Sequence, residues 1–225
     1  MPVGCAELCK KGGRSLNHLA KIAWLSGRLK QPLPGLSAQE RMMGRVVTMP
    51  VKVPDNARPS AVLCLLFPVN DELHMLLMKR REDKTAHSGQ VSFPGGSYDA
   101  ADADLKATAL REAQEELGIM SADVEILGAL TSLYIPVSNF NVYPYVGYSK
   151  QRPEYNLSHH EVAYTVEVPL SSLFHADRKT VAEVTSPVVP EVIRNVKAYK
   201  LQDGTIIWGA TAMIISELEA IWNEQ

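Results

Sequence analysis

The sequence predicts an α+β fold, an α/β/α sandwich built on a mixed β-sheet and preceded by an N-terminal helical extension. Three observations carry this. "SAVLCLLF" at 60–67 is an unbroken apolar run, as expected of a strand covered on both faces. The element order read from periodicity is strands, helix, strands, helix, and not a regular βαβ alternation. At 225 residues and 46% hydrophobic, the chain is long enough for one well-buried core with an appendage.

In residues 1–30, Lys10, Lys11, Arg14, Lys21, Arg28 and Lys30 stand against a lone Glu7, while Leu16, Leu19, Ala20, Ala23 and Trp24 recur at helical spacing. A helix packed on the domain is the expectation, with a mitochondrial presequence as the alternative. "QPLPGLSAQERMMG" reads as a loop and a short helix, with Ser37 and Glu40 spaced as a capping box. The body begins at Arg58, so residues 1–57 form the extension and 58–225 the main domain. "LHMLLMKR" pairs with the first strand across a Pro-Val-Asn-Asp turn. A helix over 102–117 follows. The stretches "VEILGALTSLYI", "FNVYPYVGYS", "VAYTVEV" and "KTVAEVTSPVV" are rich in β-branched and aromatic residues and read as strands. Asp203-Gly204 signals a hairpin, and "ATAMIISELEAIW" reads as a closing amphipathic helix.

Composition narrows the function. A net charge of -2, from 23 basic and 25 acidic residues, supplies no global field for nucleic acid or an anionic membrane, so a phosphate-bearing ligand must be held locally. Cys5, Cys9 and Cys64 form neither a disulfide framework nor a zinc set, which fits reduced thiols in a cytosol-like compartment. No apolar run approaches the roughly 20 residues that span a bilayer, and a soluble, cytoplasmic protein is expected.

The chemistry concentrates in "FPGGSYDAADADLKATALREAQEELGI", residues 93–119. On a helix, Glu112, Glu115 and Glu116 fall on one face at i, i+3 and i+4, and Leu110, Ala113 and Leu117 on the other. Clustered carboxylates repel one another unless cations neutralise them, and hard oxygen ligands at this density suit Mg²⁺ or Mn²⁺. The competing reading is a solvated helix face paired with Arg111 and Lys106. Gly95 and Gly96 supply a tight turn able to approach a metal or phosphate, and Gly118 stops the helix.

Arg111, Glu112, Ala113, Glu115, Glu116, Gly118 and Ile119 resemble the second half of the Nudix box, R-E-U-x-E-E-x-G-U. The first half departs from the usual form. Gly95, Gly96, Asp99 and Asp102 are similar to the G-G-x-x-D-x-x-D of the coenzyme A pyrophosphatase branch, as are Leu76, Leu77, Lys79, Arg80, Gly89, Phe93 and Pro94 upstream. Thr85 stands where that branch carries Arg. The resemblance covers residues 58–220 and implies metal-dependent hydrolysis of coenzyme A or acyl-CoA to 3',5'-ADP and 4'-phosphopantetheine. Its alternatives are ADP-ribose, a dinucleotide or a nucleoside triphosphate as substrate, and a non-catalytic nucleotide sensor.

The resemblance also implies the site. Glu112, Glu115 and Glu116 would ligate Mg²⁺ or Mn²⁺, with a carbonyl of Gly95 or Gly96. Arg111 would orient a carboxylate, and Glu161 would serve as general base ahead of His87, His159 and His160. Lys79, Arg80, Arg81 and Lys84, with Phe93, would hold the substrate, the cations meeting its phosphates. The partner is a small nucleotide, with neither nucleic acid nor membrane, and a homodimer is compatible with this reading.

Overall fold

The computed structural model describes residues 8–44, 52–82, 88–185 and 193–225, with side chains from residue 18 onward. In chain order the helices are α1 (Leu8–Arg28), α2 (Leu36–Gln39), α3 (Leu105–Leu117), α4 (Leu170–Leu173) and α5 (Gly209–Trp222). The strands are β1 (Arg58–Val69), β2 (Glu72–Arg80), β3 (Val91–Ser92), β4 (Gly95–Ser97), β5 (Glu125–Ala129), β6 (Leu133–Ile135), β7 (Phe140–Tyr148), β8 (Val162–Pro169), β9 (Lys179–Thr185), β10 (Ile193–Lys200) and β11 (Ile206–Trp208).

The main sheet runs β3-β2-β1-β7-β5, with β8 joined to β2, β4 to β1 and β6 to β7. It is mixed because β1 and β7 run parallel while β1 and β2 form an antiparallel hairpin. Asn70 and Asp71, both at positive φ, make the two-residue turn of that hairpin, whose backbone twist suits the flanking strands. A second, three-stranded sheet is ordered β11-β10-β9.

Alternation along β1 explains the apolar run. Ala61, Leu63, Leu65 and Phe67 face α3 and pack with Ala109, Ala113 and Leu117. Cys64 and Leu66 face the other way, into a core shared with α1 and α5. Each face of the strand therefore buries apolar surface against a helix, at about 25 cal/mol per Å² removed from water.

Three local expectations are corrected. Ile22 and Leu25 of α1, and Leu29 just after it, are buried, with Trp24 packed beside them, whereas Leu19, Ala20 and Ala23 are exposed. The stripe that packs is rotated from the one read in the sequence because Leu25 must meet the sheet. Ser37 and Glu40 do not form a capping box: α2 starts at Leu36 after Gly35, and the Ser37 hydroxyl donates to the Pro34 carbonyl at 2.8 Å. The closing helix α5 is not amphipathic but buried nearly all round, Glu217 and Glu219 included.

Those buried carboxylates are matched by donors. Glu217 accepts from the Gly35 N–H, the Thr131 N–H and hydroxyl, and the Gln39 amide. Glu219 accepts the Tyr199 hydroxyl at 2.7 Å and pairs with Lys179 at 2.7 Å. These bonds and the Arg28–Glu224 pair tie the N-terminal segment and the second sheet to α5.

Candidate active site

The site lies where β4 crosses the flank of α3. The helix begins at Leu105, not at residue 102, because the Asp104 carboxylate caps it by accepting the Ala107 N–H at 2.7 Å. It ends at Gly118, φ 75°, where a left-handed residue was expected. Asp102 sits in the preceding turn, folded back over the helix. It accepts the Thr108 hydroxyl at 2.8 Å and a bidentate contact from Arg111, Nε at 2.9 Å and Nη2 at 3.0 Å. That guanidinium holds the Asp102 carboxyl well below the usual carboxylate range.

Arg111 directs its remaining donors to protein oxygens. Nη1 reaches Glu112 Oε1 and Glu115 Oε2, both at 2.9 Å, and Nη2 reaches the Ser97 carbonyl at 3.1 Å. Lys106 lies 3.8 Å from Asp104, away from the three glutamates.

The glutamates differ in burial, which corrects the picture of three carboxylates on one open face. Glu115 is solvent-facing, Glu112 partly covered, and Glu116 only 1% exposed. Glu116 points at the sheet because α3 lies so close to β4 that the Gly95 N–H donates to its Oε2 at 2.8 Å. Its other oxygen lies 3.3 Å from Arg80 Nη1. Burial pushes the Glu116 carboxyl up to about 8 against the opposing effects of the Gly95 N–H and Arg80, and burial also raises Glu112.

The two glycines permit this approach. Gly95 has φ 153°, and a Cβ there would stand 2.3 Å from the Ala61 carbonyl oxygen of β1. A Cβ on Gly96 would stand 2.5 Å from Glu112 Cδ, inside the carboxylate itself.

Glu161 is brought to the same place from 45 residues along the chain. The Asn156 N–H donates to the Leu117 carbonyl and the Ser158 N–H to the Glu116 carbonyl, fastening the loop before β8 to the last turn of α3. The charge of Glu161 raises both Glu112 and Glu116. His159 and His160 are exposed beside it.

The basic cluster is divided. Arg80 shares the α3 side of β2 with Leu76 and Met78. Lys79 alternates to the side of Leu77 and Met75, so it does not join the glutamates. Arg81 is exposed, its N–H donating to the Glu161 carbonyl at 2.8 Å. Lys84 and His87 lie outside the described residues. Phe93 is 3% exposed in the core beneath the glycine turn, so it props the turn and offers no ring face to a ligand. The role of Asp102 as Arg111's anchor escapes the sequence, because periodicity assigns that acidic side chain to the helix rather than to the turn before it.

Among the described residues, no three acidic, His or Cys side chains converge as a ready-made metal site. The donor chemistry nevertheless suits a hard divalent cation. Asp102, Glu112, Glu115 and Glu116 pair with two guanidinium groups, and Glu161 adds its charge near Glu112 and Glu116, so an excess of carboxylates over cations gathers on oxygens beside buried backbone.

A family model described as the NUDIX domain matches residues 57–192. The uncharacterized Nudix hydrolase NudL of Citrobacter koseri is 37% identical over 169 residues, covering 72% of this chain and 82% of that protein. NudL of Pectobacterium atrosepticum is 37% identical over 144 residues, covering 64% and 72%. Among solved structures, the MutT protein of Methanosarcina mazei is 19% identical with a TM-score of 0.48, covering 75% of this chain and 96% of that one.

Proposed function

The chain belongs to the Nudix family of hydrolases, which makes it a pyrophosphohydrolase, and from that premise we propose that it cleaves the diphosphate of coenzyme A or acyl-CoA to 3',5'-ADP and 4'-phosphopantetheine. The observation that carries the substrate is Asp102. It anchors Arg111 at the position where the coenzyme A branch replaces the ordinary glutamate, and the same segment supplies Gly95, Gly96 and Asp99 in that branch's register.

In this reading residues 58–225 are the catalytic domain and 1–57 its extension, acting in the cytoplasm. Glu112, Glu115 and Glu116, with a Gly95 or Gly96 carbonyl, would hold Mg²⁺ or Mn²⁺. When bound, the cation supplies Lewis acidity that draws charge from the diphosphate oxygens. Arg111 keeps Glu112 and Glu115 aimed, in the manner of groups that orient metal ligands. The Glu161 carboxylate takes the proton of the attacking water as the bridging P–O bond breaks. Arg80, Arg81 and Lys84 meet the substrate phosphates, the 3'-phosphate among them. A second reading, ADP-ribose or another nucleoside diphosphate derivative, is favoured by Thr85 at the place of the branch's Arg.

Kinetics on coenzyme A, its 3'-dephospho form and ADP-ribose separate the two. Removing the 3'-phosphate deprives a guanidinium or ammonium of its charged partner and should lower kcat/KM by roughly ten- to a hundredfold. Equal efficiency on the first two, or higher efficiency on ADP-ribose, selects the second reading. EDTA should abolish turnover and Mg²⁺ or Mn²⁺ restore it, and full activity after exhaustive chelation would remove the metal from the mechanism.

Gly96→Ala tests the close approach. The obstructing atoms belong to the end of a side chain, so the protein should fold while Glu112 is pushed aside, and misplacement of about 1 Å can cost on the order of 10²-fold in rate. An unchanged kcat would show that the Glu112 position does not matter to the chemistry.

A further inference from the structure

Both oxygens of the buried Glu116 are already engaged, and the two partners are unlike. Oε2 is held by the Gly95 N–H at 2.8 Å, a backbone donor fixed by the pairing of β4 with β1. Oε1 faces Arg80 Nη1 at 3.3 Å, a long contact from a side chain that is 29% exposed. Arg80 stands at the end of β2, where the pairing with β8 shifts register between Lys79 and Arg80. Such irregularities re-aim side chains at the margins of sites.

The other guanidinium at the site is differently placed. Arg111 is committed to a bidentate bond with Asp102 and to the Ser97 carbonyl, so leaving would break several good bonds. Arg80 reaches the carboxylates, among the described residues, through the one long contact with Glu116. A buried carboxylate oxygen is costly without a cation or donor, and a divalent cation on that oxygen would stand against a guanidinium of the same sign, which drives Arg80 away.

We propose that Arg80 is a surrogate cation. It occupies Glu116 Oε1 in the metal-free enzyme, is displaced when a divalent cation takes that oxygen, and then turns its fork to the substrate diphosphate. Metal binding thus precedes and delivers the phosphate-binding guanidinium. The inference rests on the assignment of Glu116 as a metal ligand.

Calorimetric titration of the full chain with Mn²⁺ tests it. Wild type should bind and Glu116→Gln should bind far more weakly. Arg80→Gln should bind about five- to thirtyfold more tightly than wild type, the range for loss of a partly exposed charge-assisted hydrogen bond. Lys200→Gln removes the same charge from an exposed position on β10 of the second sheet and should change affinity less than about twofold, because charges remote from the site are screened. Methylenediphosphonate, a non-hydrolysable diphosphate, should bind Mn²⁺-loaded Arg80→Gln about tenfold more weakly than loaded wild type. A crystal structure of wild type with Mn²⁺ should place Arg80 beyond the roughly 4 Å ion-pair limit from Glu116, whatever the folding of the variants. If Glu116→Gln binds Mn²⁺ as wild type does, the ligand assignment falls and the proposal with it. If that variant loses Mn²⁺ but Arg80→Gln binds no more tightly than wild type, or Arg80 stays on Glu116 with the metal bound, the surrogate role alone is overturned.

Discussion

Glu116→Gln is expected to lower kcat by about 10³-fold, equivalent to about 4 kcal/mol of transition-state stabilisation. The amide keeps the shape of the side chain and can still accept the Gly95 N–H, but it removes a formal charge and a hard oxygen ligand. Folding should not suffer, because the neutral group sits more comfortably than an ionised one in a place that is 1% exposed. A variant with near wild-type kcat under saturating Mg²⁺ would dismiss Glu116 from the chemistry.

The same substitution carries a pH signature in the metal-free protein. The folded-state pKa of Glu116 is raised to about 8, whereas the unfolded chain releases that proton at the ordinary glutamate value of 4.5. Between these values the folded state binds more protons than the unfolded one. The contribution of Glu116 to stability is therefore complete below the lower value and is lost as pH rises through the upper one. Urea midpoints measured in EDTA from pH 5 to pH 8.5 should fall for wild type relative to Glu116→Gln. A difference between the two proteins that stays constant across this range would contradict the burial argument.

Leu117→Ala is expected to cost about 2 to 5 kcal/mol of folding free energy, the largest stability effect among these substitutions. Leu117 is 0% exposed, one residue from Glu116, in the cluster that joins Ala109 and Ala113 of α3 to Leu63, Leu65 and Phe67 of β1. Removing its methyl groups leaves a cavity between helix and sheet that close-packed neighbours fill only in part. A loss of this size is a large fraction of the 5 to 15 kcal/mol typical of a domain. Chemical denaturation with an unchanged m-value would measure it, and a loss below about 1 kcal/mol would show that the side chain does not bear on the core. Adjacent positions on one helix thus divide between catalysis and folding.

Much of this was legible in the sequence, where the signal is local and periodic. The apolar run of β1 declared a strand buried on both faces, because only a helix layer on each side accommodates Ala61, Leu63 and Leu65 together with Cys64 and Leu66. The spacing of Arg111, Glu112, Glu115, Glu116 and Gly118 specified a carboxylate-bearing helix with its stop. Asp203-Gly204 marked its hairpin, with Gly204 at φ 89°.

What only the tertiary structure decided concerns partners remote in sequence and the rotation of faces. Helical periodicity grouped the three glutamates but could not say that β4 would press against α3 and bury Glu116 while leaving Glu115 in solvent. It could not divide Lys79 from Arg80, since side chains diverge across a sheet only once the strand is placed in it. Nor could it turn Ile22 and Leu25 inward in place of Leu19 and Ala23, or match Glu217 to Gly35, Gln39 and Thr131. A carboxylate's role depends on the donors and dielectric around it, and those come from chain segments that only folding brings together.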